Sequence, residues 1–175
     1  FFYQNYFQYE NIPEKELEKN INETLLKVFY WCSEEGFQDK IKSNTKLNSG
    51  LLDCIPLPEK NRLKWLNSDF LKKLINDFEK SGFRGSLNRY RAQNLDWEEL
   101  IELDHLSISQ PSLFIGGEHD PVRSFIKDYD AFKNAGKYCT NFKGSFIIEN
   151  AGHWVQQEKP NEVNRIISNF LQQLA

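Results

Sequence analysis

Apolar residues recur along the first part of this chain at helical spacing, and only later in short unbroken runs. Between Pro13 and Ser33, Leu17, Ile21, Leu25 and Val28 return every third or fourth position, which lines them along one face of a helix. Pro13 suits a first turn, where its missing N–H would lack an intrahelical partner anyway. Glu14, Glu16 and Glu18 stand where the helix dipole favours acid. Gly36 to Pro58 carries Ser, Asn, Gly and Pro punctuation and predicts a loop. A second amphipathic stretch follows, with Phe70, Leu71, Leu74, Ile75 and Phe78 as its stripe and Asn67 or Ser68 as its cap. It should end near Gly82, because glycine accepts the left-handed backbone that closes many helices. Leu87 to Gln93 predicts a short further helix.

After Gln110-Pro111 the pattern changes. Ser112-Leu113-Phe114-Ile115-Gly116-Gly117 is an apolar run ending in glycines, as a buried strand should be. A helical region is expected from roughly Ser124 to Ala135, then a second strand over Gly144-Ser145-Phe146-Ile147-Ile148. Pro160 opens a final helix with Val163, Ile166, Ile167 and Phe170 on one face. Strand, helix, strand, helix predicts an α/β fold with a parallel sheet. Residues 1–106 predict no strand, so the boundary is placed between Leu106 and Pro111. A parallel sheet needs more than two strands and cover on both faces. The remainder of the sheet is therefore expected from chain outside this sequence, and the absence of any Met agrees with a piece of something larger.

Composition narrows the functional classes. Net charge is −3 and the pI about 5.7, which leaves no electrostatic footprint for nucleic acid or an anionic membrane. Aromatics make up 14% of the chain, enough for either a core or an apolar ligand pocket. Cys32, Cys54 and Cys139 are odd in number and lack CxxC spacing, which argues against disulfides and a structural zinc and fits a reducing, cytoplasmic setting. No apolar run approaches the roughly 20 residues that span a bilayer. No metal or organic cofactor is implied, and homo-oligomerisation is left open.

The candidate chemistry lies at the strand ends. Asp120 follows the first strand and His153 the second, so parallel pairing would bring both to one edge of the sheet, where α/β folds bind ligands. An acid there can hold one imidazole nitrogen while the other faces a reacting centre. Acid before histidine is also the chain order of α/β hydrolases. The bland readings are an Asp that merely caps a turn and a structural His. His119 competes with His153 as the partner of Asp120, but a sequence neighbour shares no face with it. His105 is read as structural.

Four stretches carry a resemblance. They are Phe2-Tyr3-Gln4-Asn5-Tyr6-Phe7-Gln8, Ser81-Gly82-Phe83-Arg84-Gly85-Ser86-Leu87-Asn88-Arg89-Tyr90-Arg91, Gly116-Gly117-Glu118-His119-Asp120-Pro121-Val122 and Gly152-His153-Trp154-Val155-Gln156-Gln157-Glu158-Lys159-Pro160. In this order, spanning nearly the whole chain, they resemble segments of the α/β-hydrolase-fold epoxide hydrolases. The resemblance implies a partial α/β-hydrolase fold, with a helical cap segment over 1–106 and the C-terminal part of the core over 107–175. It implies that Asp120 and His153 are the acid and base of a charge-relay site. It also implies that Tyr3 and Tyr90 hydrogen-bond the epoxide oxygen, Tyr6 being the rival within the first motif, and that Phe2 and Trp154 line the substrate pocket. The bland reading of either tyrosine is a buried aromatic with a satisfied hydroxyl. Ser86 stands where the family commonly has proline, Tyr9-Glu10-Asn11 replaces a common Glu-Pro-Gly, and the polar run from Gly36 to Asn48 is unlike the family.

The family's aspartate nucleophile and its oxyanion loop have no counterpart in the sequence. The nucleophile and the N-terminal core are thus expected from elsewhere in the protein, and this chain alone is expected to be inactive. The implied substrate is a small apolar epoxide, with water. Alternatives that keep the acid and histidine are a haloalkane dehalogenase, a serine esterase or C–C hydrolase, or a non-catalytic binding protein on the same fold.

Overall fold

The structure is a computed structural model that describes residues 3–41, 50–103 and 106–174. In chain order these form α1 (Tyr3–Phe7), α2 (Ile12–Glu18), α3 (Ile21–Trp31), α4 (Glu34–Gln38), α5 (Ser68–Ser81), α6 (Arg84–Arg91), α7 (Gln93–Leu100), β1 (Ser112–Gly117), β2 (Phe142–Ile148), α8 (Val155–Glu158) and α9 (Pro160–Gln172). The chain divides into two compact units. One comprises Phe1–Trp31 with Lys40–Asp104, the other Cys32–Asp39 with His105–Ala175.

The first unit is helical among its described residues. The continuous helix expected from Pro13 to Ser33 is two helices, α2 and α3. Asn20 is the reason, because its side-chain oxygen accepts the Glu23 N–H at 3.1 Å and so starts a new helix. Asn67 caps α5 as expected, accepting from Asp69 and Phe70 N–H at 2.8 and 3.1 Å, and Gly82 closes it at φ +63°. The segment read as loop is more structured than its composition suggests. Its described residues hold the end of α4, which belongs to the second unit, and in the first unit a 3-10 turn at Leu52–Cys54, with Leu51 and Ile55 buried.

Three acidic side chains of α2 brace this unit. Glu16 accepts from the Tyr6 hydroxyl at 2.7 Å and from the Leu51 and Leu52 N–H groups at 3.1 and 2.8 Å. Glu18 accepts from Phe83 N–H at 2.8 Å. Glu14 pairs with Arg91 at 2.7 Å, and the same guanidinium donates to the carbonyls of Phe7 and Tyr9 at 3.0 and 2.7 Å. That hydrogen bond from Arg91 holds the Glu14 carboxyl below its ordinary range.

In the second unit β1 and β2 pair in parallel, with Phe114 opposite Ser145 and Gly117 opposite Ile148. The register shifts between Ser112 and Phe114, where β2 has one extra residue, and Gly144 takes up the irregularity at φ +130°. The first strand falls where the apolar run predicted it, while the second begins two residues earlier. The helix expected from Ser124 to Ala135 is absent. Instead there are 3-10 turns at Pro121–Ser124 and Ala131–Asn134, with a bridge between Ile126 and Tyr129. Asp128 is left-handed at φ 60°, which interrupts a helix. Asp130 then caps the second turn by accepting from Phe132 N–H at 3.0 Å. Helix α9 starts at Pro160 as expected. Its Val163 packs with Ile148, Ala151 and Val155, against Ile115 and Ile166. No helix among the described residues is long and apolar enough to cross a membrane.

Candidate active site

Parallel pairing puts the two strand ends side by side, and the loops leaving them meet. The N–H of Glu118 donates to Ile148 O and that of His119 to Ala151 O, both at 2.9 Å. Gly117 and Gly152 make this approach possible. A Cβ on Gly117 would lie 2.0 Å from the Gly152 carbonyl oxygen. One on Gly152 would lie 2.5 Å from the Cys32 carbonyl oxygen. Asn150 adopts the left-handed backbone at φ 51° that turns the chain from β2 toward His153.

The turn brings His153 to Asp120. His153 Nδ1 and Asp120 Oδ2 are 2.9 Å apart, while Asp120 Oδ1 accepts the Val122 N–H at 2.8 Å. The bland reading of Asp120 as a turn cap is thus true of one oxygen, and the other is engaged by the imidazole. A carboxylate only accepts, so Nδ1 carries the proton and Nε2 is the free basic nitrogen. The Asp120 side chain is 9% exposed and that of His153 40%, so the acid is enclosed while the base meets solvent. The hydrogen bond that the imidazole donates to Asp120 holds it above its ordinary value, and the negative charges of Asp120 and Glu158 add to this against desolvation.

The backbone around His153 is held by Cys32–Glu34. His153 N–H donates to Cys32 O at 2.8 Å. Glu158 Oε2 accepts from the N–H groups of Gly152 and Glu34, each at 3.0 Å, and Oε1 from that of Trp154 at 3.1 Å. The Cys32 thiol is pushed up to about 12 by burial and by the charges of Asp120 and Glu158, so it stays protonated and is no nucleophile. His119 is occupied elsewhere. Its Nδ1 lies 2.6 Å from Glu34 Oε2 and its ring stacks on Phe37 at 3.7 Å. Trp154 meets the His153 ring edge-on at 5.0 Å.

The other sequence-predicted residues lie in the first unit. Tyr3 and Tyr90, 87 positions apart, come together with ring centroids 5.8 Å apart at 84°. Phe7 packs on both, at 5.5 and 5.0 Å. Tyr6 is different. It is buried, its hydroxyl donates to Glu16, and burial with that contact raises its pKa. Phe2 and His105 lie outside the described residues.

No protein-family model matches the sequence. Individual proteins do match. The chain is 34% identical over 173 residues to epoxide hydrolase A of Mycobacterium tuberculosis, covering 98% of this chain and 52% of that protein. It is 35% identical over 172 residues to bifunctional epoxide hydrolase 2 of Mus musculus, covering 98% of this chain and 30% of that one. The solved epoxide hydrolase from an endophytic Streptomyces superposes with a TM-score of 0.85 at 32% identity, over 99% of this chain and 52% of that one. Over nearly its whole length the chain is similar to the C-terminal half of epoxide hydrolases with the α/β-hydrolase fold. It spans about half the length of the mycobacterial relatives it matches.

Within that family fold, Asp120 and His153 are joined as the sequence predicted. Glu158 and the 32–34 backbone went unassigned. The signal for Glu158 was an acid five residues after His153, inside a motif already noted. Nothing local marked Cys32–Glu34, because its role depends on a contact more than a hundred residues away.

Proposed function

We propose that this chain is part of an enzyme that opens epoxides to vicinal diols through an ester intermediate. Residues 1–106 form its cap segment and 107–175 the closing part of its core, in a cytoplasmic protein whose substrate is small and apolar. The observation that carries this reading is the Asp120–His153 pair at 2.9 Å on adjacent parallel strand ends. An aspartate from the remaining core attacks an epoxide carbon, and the carbon–oxygen bond breaks. Tyr3 and Tyr90 stabilise the departing oxygen, one of them giving it a proton. The engagement of the Tyr6 hydroxyl by Glu16 supports Tyr3 over Tyr6 for this role. His153 Nε2 then takes a proton from water, which attacks the ester carbonyl and releases the diol. Asp120 balances the imidazolium that forms.

The test uses the complete protein carrying His153→Asn, an aryl epoxide and rapid-quench mass spectrometry. One ester per enzyme should form and persist. Sustained diol release by that variant would refute the mechanism.

A further inference from the structure

Glu158 is the least ordinary carboxylate of the second unit. Both of its oxygens accept from backbone N–H groups. Two of these, Gly152 and Trp154, flank His153 directly, and the third, Glu34, belongs to the segment that accepts the His153 N–H through Cys32 O. Burial raises the Glu158 carboxyl, and the three amide hydrogen bonds work against that rise by favouring the ionised form. A carboxylate is the one side chain that can meet this set of donors. It offers two accepting oxygens and no donor of its own.

We propose that Glu158 is the positioning residue of this site, fixing the orientation of His153 by tying the backbone before and after it to the Cys32–Glu34 segment. The proposal rests on the reading of His153 as the general base. Positional precision of this kind matters because displacement of a base by about 1 Å can slow a step by about 100-fold. Glu158 also acts on His153 through space, adding to the effect of Asp120. The thiol of Cys32, whose carbonyl accepts the His153 N–H, stays neutral.

The amide of Glu158→Gln can accept at only one end, so either Trp154 or the Gly152 and Glu34 pair loses its acceptor. Glu158→Asp keeps two oxygens but is one methylene shorter. In the complete protein, Glu158→Gln should slow ester hydrolysis by about 100-fold while leaving ester formation unchanged, and Glu158→Asp should fall between it and the parent. By NMR, either the Trp154 amide or the Gly152 and Glu34 amides together should lose exchange protection, and the His153 imidazole should titrate lower. Equal slowing of both steps, or unmoved amides and an unmoved imidazole, would overturn the proposal. Should Glu158→Gln not fold, Glu158→Asp gives the same readings in smaller measure. Continued turnover by His153→Asn would remove the general-base reading alone, since the NMR arm still decides whether Glu158 positions His153.

Discussion

Replacing Gly152 with alanine adds one carbon where the loop carrying His153 presses on the 32–34 backbone. That carbon would meet Cys32 O and Ser33 C at 2.5 Å and Glu34 N at 2.7 Å, all main-chain atoms that no rotamer change can move. Restoring an ordinary 3.4 Å contact requires the two segments to part by about 0.9 Å. The same displacement stretches the His153 N–H to Cys32 O bond from 2.8 Å to beyond the roughly 3.2 Å at which such bonds act. Overpacking of this kind costs about 1–3 kcal/mol and one lost hydrogen bond about 1 kcal/mol, so Gly152→Ala should destabilise by about 2–4 kcal/mol. Thermal unfolding followed by circular dichroism should show a midpoint lower by roughly 5–15 °C. Gly85 is the control. It lies in α6 with nothing within 4 Å of an added Cβ, so alanine there should be neutral or stabilise by up to about 1 kcal/mol. Equal midpoints for Gly152→Ala and the parent would refute the reasoning, because the packing of His153 on Cys32–Glu34 would then not be tight.

The pH dependence follows from Asp120. The His153 pKa is raised in the fold, so its contribution to stability is full below the unfolded value of about 6.5 and is lost as pH rises through the higher folded value. Asp120→Asn should lower the imidazole pKa and flatten stability across that window, as read by NMR titration beside denaturant unfolding. An unshifted imidazole would show that the 2.9 Å contact carries no such interaction. In the first unit, Arg91→Ala should cost about 3–5 kcal/mol, because Glu14 would be left enclosed without its cation, the two side chains being 9% and 14% exposed. A loss under about 1 kcal/mol in urea denaturation would mean the pair behaves as an exposed one.

Periodicity and punctuation made much of this molecule readable in advance. The stripe of α5 between Asn67 and Gly82, the run of β1 and the start of α9 at Pro160 are local patterns, each decided within a few residues. Spacing failed where a single side chain altered the backbone. Asn20 split one helix into two, and Asp128 with Asp130 turned an expected helix into two 3-10 turns. The loop reading of Gly36 to Pro58 holds over most of its described residues, but it missed the 3-10 turn at Leu52–Cys54 and the burial beside it. Leu51, Leu52 and Ile55 are buried there by contacts that composition does not encode.

The sequence by itself determined the two strands after Pro111, the final helix from Pro160 and the presence of an acid and a histidine just beyond two strand ends. It also singled out a pair of tyrosines far apart in the chain. Only the tertiary structure decided that Asp120 divides its oxygens between a turn and His153, that His119 turns away to Glu34, and that Tyr6 is bound to Glu16. It alone showed Glu158 and Cys32–Glu34 hydrogen-bonded to the loop that carries His153. The physical reason is range. Capping, turn chemistry and hydrophobic period act over three or four residues, whereas a carboxylate is assigned its partner by whichever donors the folded chain brings within about 3 Å.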